Sequence, residues 1–82
     1  MVKSVFTPRF KKTFSRIKDK SLKERIIKQV LKTKTTPEIG KPMKFERKNT
    51  RELYIKPFRL SYTYIKKENK LIFLDLYHKK EQ

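Results

Sequence analysis

The sequence contains no cysteine and only one glycine, Gly40. The lack of cysteine excludes disulfide bonds, a thiol nucleophile and a thiolate metal site, and it fits a reducing compartment such as the cytoplasm. A single glycine excludes the glycine-rich loops that bind nucleotide phosphates. No apolar run approaches the roughly 20 residues that a membrane-spanning helix needs. We therefore expect a soluble, cytoplasmic protein without a membrane contact.

Acidic residues are also scarce. The 82 residues contain 8 Asp and Glu against 24 Lys and Arg, a formal charge of +16. This excess is larger than solubility requires, and it points to a polyanion such as RNA or to an acidic protein partner. With one histidine and scattered carboxylates, the sequence predicts neither a metal site nor a cofactor. The length favours a single domain over residues 1–82, too small for a deep cavity, so no small-molecule ligand is expected.

Two helices are predicted in the first half of the chain, over residues 8–18 and 21–35. The first starts at a threonine–proline pair, which is typical of a helix N-terminus, and its apolar residues recur at helical spacing. The second contains a clean apolar stripe. It starts either at a capping box formed by Ser21 and Glu24 or at Asp19, which competes as the N-cap.

Strands are predicted in the remaining segments. A short strand over residues 1–6 precedes the helices, and after residue 42 the apolar spacing becomes the two-residue alternation of strands, around 53–55, over 58–65 and over 70–77. The fold class is therefore α+β: strand, helix, helix and a three-stranded antiparallel meander, with both helices on one face of the sheet. The predicted core comprises Phe10, Phe14, Leu22, Ile26, Val30, Leu53, Leu60, Tyr62, Phe73 and Leu74.

The other face of this sheet is left open and basic. Alternation places Arg59, Ser61 and Thr63 on it. An RNA backbone could bind there, with its phosphates on cations and its bases on aromatic rings, although a solvated face without a ligand has the same composition. The residues predicted to bind RNA are Arg47, Lys48, Arg51, Tyr54, Lys56 and Lys79. We expect a loose hairpin at the Lys-Pro turn before Phe58, because proline cannot adopt positive φ.

The only histidine, His78, follows the most apolar strand and precedes two lysines. It is either an exposed residue at a strand end or a group that transfers protons at the rim of the open face, one strand away from Arg59, since imidazole acts as acid or base near neutral pH. The element order, the segment YIKPFRLSY and the ending LYHKK together resemble the RelE/ParE superfamily of toxin–antitoxin toxins, nearest to the RelE-like messenger-RNA interferases.

The resemblance implies a RelE-like domain that is neutralised by an acidic, RelB-like antitoxin and that cleaves messenger RNA in the ribosomal A site without a metal. It also implies roles for three residues. Arg59 would contact the scissile phosphate, and Lys80 would stabilise the transition state or protonate the leaving group. His78 matches a histidine that many members carry beside that basic residue.

The sequence departs from the family pattern at two places. Glu52 and Tyr54 stand where the family commonly presents Lys or Arg. The family also often has a tyrosine beyond the basic pair, a position that this sequence does not reach, and Tyr54 or Tyr77 are candidates to replace it. Three alternatives therefore stay open: a non-catalytic RNA-binding protein, a degenerate toxin that still binds antitoxin, and, less favoured, a ParE-like gyrase inhibitor.

Overall fold

The structure is a computed structural model, and it describes residues 2–42 and 49–78. One strand precedes two helices, and the remaining strands follow them. In chain order the elements are β1 (Lys3–Phe6), α1 (Pro8–Arg16), α2 (Lys20–Thr35), β2 (Lys41–Pro42), β3 (Thr50–Ile55), β4 (Phe58–Ile65), a short 3-10 turn (Lys66–Glu68) and β5 (Lys70–His78). In the part of the chain that the structure describes, no helix is long and apolar enough to cross a bilayer.

The strands form one mixed sheet of five strands in the order β1-β5-β4-β3-β2. β3, β4 and β5 are the predicted antiparallel meander, β1 runs parallel to β5, and β2 is an additional edge strand beside β3. β2 was not predicted because two residues are too few to show an alternation. β5 lies between two neighbours, which agrees with a sequence that is apolar on both faces.

Both helices begin at side chains that cap backbone N–H groups. Thr7 caps α1 as predicted: its hydroxyl accepts a hydrogen bond of 3.2 Å from the N–H three residues on. Asp19 caps α2 in the same way, also at 3.2 Å. The capping box of Ser21 and Glu24 was the wrong alternative, because α2 already begins at Lys20 and both residues lie inside it.

The helices pack on one face of the sheet and share one apolar core with it. Seven predicted core residues are buried: Phe10, Leu22, Ile26, Val30, Leu60, Tyr62 and Phe73. Phe14 and Leu53 are partly buried and pack against this cluster. Four further hydrophobic residues are buried beside them, namely Ile17, Ile55, Leu71 and Leu76.

Leu74 is the predicted core residue that lies outside the buried cluster. Ser61 pairs with Asp75 whereas Tyr62 pairs with Phe73, so the register shifts and Leu74 is an extra residue in β5. Such a β-bulge reverses the faces of all later residues in the strand. Leu76 is therefore buried opposite Leu60, in the position that regular alternation from Phe73 would have given to Asp75.

The hairpin between β3 and β4 is tighter than expected. Ile55 pairs directly with Phe58, so only Lys56 and Pro57 form the turn. The peptide bond between these two residues is cis. Type VI turns accommodate proline in this isomer, whereas the expectation of a loose hairpin considered only turns that need positive φ.

Tyr62 anchors the loop that leads from α2 to β2. Its hydroxyl donates to the carbonyl of Pro37 at 2.8 Å and accepts from the N–H of Gly40 at 2.9 Å. A Cβ at Gly40 would lie 2.8 Å from that hydroxyl, so glycine is required here by close approach. Burial raises the pKa of Tyr62 above its ordinary value of 10.0.

We predict that Tyr62→Phe lowers the free energy of unfolding by about 1–3 kcal/mol at neutral pH, because it removes the hydroxyl that pairs with the buried N–H of Gly40 and the partly buried carbonyl of Pro37. The raised pKa means that the folded state favours the neutral phenol. This contribution is fully present below the ordinary pKa of 10.0 and is lost as the pH rises through the raised folded value. Denaturant unfolding should therefore show the difference between wild type and variant shrinking at alkaline pH. Tyr64→Phe, on the same strand, is the control, and an equal loss there would contradict the prediction.

Candidate functional site

On the open face of the sheet, away from the helices, β3, β4 and β5 bring four side chains together. Arg59 in the middle strand pairs with Tyr54 on one side and with Tyr77 on the other. Residues directly opposite each other in antiparallel strands point to the same face. Glu52, two residues before Tyr54 on β3, points to this face as well. We call Glu52, Tyr54, Arg59 and Tyr77 the open-face cluster.

Glu52 is held by two neighbours in the cluster. Arg59 donates from Nη1 to Oε1 of the carboxylate at 2.6 Å, and the hydroxyl of Tyr77 donates to Oε2 at 2.7 Å. The side chains of Arg59 and Glu52 are only 25% and 20% exposed, so the pair is less screened by water than an ordinary surface ion pair. Both carboxylate oxygens are thereby fixed in position.

Arg59 keeps an unused donor. Its Nε is buried and has no hydrogen-bond partner among the residues that the structure describes. Buried donors are normally satisfied, and the planar guanidinium can bind a second acceptor on the edge away from Glu52. The Tyr54 ring lies 6.0 Å from Cζ of Arg59 and is 54% exposed. The cluster therefore offers a cation and an accessible aromatic ring side by side.

His78 was expected at the rim of the open face near Arg59, and this placement was wrong. His78 pairs with Phe58, one residue away from the pair of Arg59 and Tyr77, so alternation turns its side chain to the opposite face. Its ring packs edge-on against Phe58, with 5.6 Å between the ring centroids. A catalytic role for His78 stays a prediction.

Arg51 also lies away from the open face, contrary to expectation. It pairs with the buried Tyr62, and its Nη1 donates to the carbonyls of Glu38 at 3.0 Å and Gly40 at 2.7 Å. Arg51 therefore fastens the loop before β2. Tyr54 is on the predicted face, and Lys56 is exposed in the β3–β4 turn. The other predicted site residues lie outside the described residues: Arg47, Lys48, Lys79 and Lys80.

Glu52 was noted from the sequence only as a departure, and its contact with Arg59 was missed. Alternation already placed Glu52 and Tyr54 on one face of β3, but the sequence does not state which residue of β4 lies opposite them. Tyr77 was considered as a substitute tyrosine, and the structure places its hydroxyl on Glu52. Within residues 2–42 and 49–78, no group of three or more His, Cys, Asp or Glu side chains could hold a metal ion.

The fold matches solved structures of toxins. RelE in the intact Escherichia coli RelBE toxin–antitoxin complex superimposes with a TM-score of 0.81 at 14% identity, covering 95% of this chain and 96% of that one. A YoeB/ParE toxin from Agrobacterium tumefaciens gives 0.83 at 19% identity, covering 94% and 98%. A metal-bound toxin from Helicobacter pylori gives 0.71 at 24% identity, covering 99% and 98%. Searching curated protein sequences finds no match.

These similarities establish the fold, which is the α+β fold of the RelE and YoeB/ParE toxins. Residues 5–82 match the family model described as ParE toxin of type II toxin–antitoxin system, parDE. The chain belongs to this family of type II toxins.

Proposed function

We propose that this toxin is a ribosome-dependent endoribonuclease that cleaves messenger RNA in the cytoplasm and so inhibits translation. The observation that carries the proposal is the buried, unpartnered Nε of Arg59 on the open face. A phosphate oxygen is the acceptor that this donor suits best, because arginine binds phosphate through two parallel N–H groups.

The phosphate and Glu52 can share Arg59. Glu52 contacts Nη1, whereas the edge that carries Nε faces away from this contact. One guanidinium could therefore hold the scissile phosphate and keep the carboxylate beside it. The exposed ring of Tyr54 would stack on a neighbouring base, which is how aromatic residues commonly bind single-stranded RNA.

The proposed reaction is attack of a ribose 2′-oxygen on the adjacent phosphorus. Glu52 accepts the proton of the 2′-hydroxyl, the bond from phosphorus to the 5′-oxygen breaks, and Arg59 neutralises the charge that develops on the phosphate. The departing 5′-oxygen takes a proton from a second group. The catalytic residues expected from the sequence are Arg59, His78 and Lys80, with His78 and Lys80 as the predicted donors. Because the ring of His78 packs against Phe58 on the opposite face of the sheet, the proposed donor is Lys80. The products are a cyclic phosphate and a free 5′-hydroxyl, and no metal takes part.

A gyrase inhibitor is the second candidate function, and one observation favours it. The matching family model is that of ParE toxins, although two similar solved structures are described as RelE and as YoeB/ParE. The two functions are separated by assaying purified toxin on translating ribosomes and on gyrase. Cleavage of the messenger on the ribosomes supports the nuclease. Inhibition of supercoiling without cleavage would replace the proposal with gyrase inhibition.

A protein that binds RNA but neither cleaves messenger nor inhibits gyrase would be a non-catalytic RNA-binding protein. A protein that binds the antitoxin but shows neither activity would be a degenerate toxin. The ion pair of Glu52 and Arg59 would explain such a loss of activity, because it places a negative charge beside the arginine proposed to bind phosphate.

We also propose that the toxin binds an acidic antitoxin. The RelE structure that it matches was solved together with its antitoxin, and the charge of +16 favours an acidic partner. Competition between the antitoxin and RNA for basic surface would then silence the toxin.

We predict a steep salt dependence for RNA binding by the antitoxin-free toxin. If the open face engages about six phosphates of single-stranded RNA, a plot of log binding constant against log salt concentration should have a slope of about −4, because counterions bound to the RNA are released. Fluorescence anisotropy with a labelled, cleavage-resistant RNA measures this slope. A slope near zero would contradict RNA binding through the basic face.

A further inference from the structure

A cavity of about 580 Å³ opens beside the open-face cluster. Its volume lies within the roughly 300–1,000 Å³ of typical ligand pockets. It is adjacent to Glu52 because Ser61 on β4 pairs with Glu52 on one side and with Asp75 on the other. The lining includes Thr7, Arg9, Thr50, Ser61, Leu74 and Asp75.

The β-bulge in β5 shapes this cavity. The hydroxyl of Thr7 donates to the carbonyl of Leu74, the extra residue, at 2.6 Å. The same hydroxyl caps α1, so the first turn of the helix is tied to the bulge. One wall of the cavity is therefore the start of α1, and the carboxylate of Asp75 stands on β5 beside it.

The carboxylate of Asp75 has one oxygen available to a ligand. Oδ1 accepts from the N–H of Leu76 at 2.8 Å. Oδ2 lies 3.7 Å from Nη1 of Arg9, whose side chain is 77% exposed, and ion pairs of this kind contribute little. A ligand that donates a hydrogen bond can displace Arg9 from Oδ2 at small cost.

We propose that this cavity binds a nucleobase next to the scissile phosphate and that Asp75 selects against uracil. The inference rests on RNA binding at Arg59, as proposed above. A carboxylate repels phosphate, so the uncharged base is the part of RNA that the cavity can accept. Adenine, cytosine and guanine carry an exocyclic amino group that donates to Oδ2, whereas uracil presents carbonyl oxygens at those positions.

Binding of short 2′-O-methyl oligonucleotides tests the proposal, because the blocked hydroxyl prevents cleavage. The host is an adenosine oligomer in which one uridine is placed at each position in turn, and fluorescence anisotropy gives each Kd. For the wild type, uridine at one position should weaken binding roughly tenfold, the scale of one charge-assisted hydrogen bond. Asp75→Asn should reduce this penalty to about twofold or less, because a carboxamide can donate to a uracil carbonyl.

Glu68→Gln is the matched control, since it removes one exposed carboxylate outside the cavity and should keep the uridine penalty. Asparagine can still accept from the N–H of Leu76, so Asp75→Asn should fold, which a thermal melt checks. An equal penalty in wild type and Asp75→Asn, no penalty at any position, or no binding of any oligomer would each overturn the subsite. Cleavage on ribosomes is measured separately. A uridine penalty without cleavage supports the subsite and contradicts the nuclease. Cleavage without a uridine penalty supports the nuclease and contradicts the subsite.

Discussion

Replacing Arg59 with alanine is expected to lower messenger cleavage on programmed ribosomes by about 10²-fold or more, the usual effect of removing one electrostatic stabiliser of a transition state. Arg59 is the centre of the open-face cluster, and its Nε is the donor proposed to hold the scissile phosphate. Arg59→Lys should also lose at least about tenfold, since lysine keeps the charge but cannot bind phosphate through a planar fork. Primer extension on the messenger measures both effects.

Arg16→Ala is the matched control for Arg59→Ala, because it removes an exposed arginine at the end of α1 and the same unit of charge. It should leave cleavage within about twofold of the wild type. Arg59→Ala also loses the ion pair with Glu52. This loss should lower the free energy of unfolding by about 1–2 kcal/mol, between the values for exposed and buried pairs, so Arg59→Ala should stay folded. Equal cleavage by wild type and folded Arg59→Ala would remove Arg59 from the active site.

Glu52→Gln is expected to lower cleavage by about 10²-fold while RNA binding stays the same or tightens. The carboxamide cannot accept the proton of the 2′-hydroxyl, and removing a proton acceptor typically costs about 10²–10⁴-fold. It also removes a negative charge beside the phosphate, which favours binding. Cleavage rate and Kd must be measured together to separate two roles of Glu52. If Glu52 only occupied Arg59 and did not accept a proton, Glu52→Gln would cleave faster than the wild type.

Glu24→Gln, at an exposed position on α2, controls for the general loss of one negative charge. His78→Ala belongs in the same series, because the sequence predicted that His78 transfers a proton. A loss of roughly 10²-fold would support a proton donor. Unchanged cleavage would exclude His78 as the proton donor and would leave this role to Lys80.

Several features of this protein follow from local sequence patterns. The threonine–proline pair at Thr7 marks the start of α1 because capping depends on a few adjacent residues. β4 occupies the predicted residues 58–65 because its alternation is regular throughout. The segment around Arg59 and the ending at His78 together indicated the superfamily, which the match over residues 5–82 confirms. The charge of +16 is a property of composition alone.

Only the tertiary structure decided which side chains meet. Strand register is set by pairing between distant segments, and a shift of one residue reverses every face. Composition and alternation therefore could not show that Arg59 contacts Glu52 and pairs with Tyr77, or that His78 pairs with Phe58. The bulge at Leu74 has the same origin, since an inserted residue is visible only against the partner strand. This bulge turns Leu76 into the core, and its extra residue Leu74 lines the cavity together with Ser61 and Asp75.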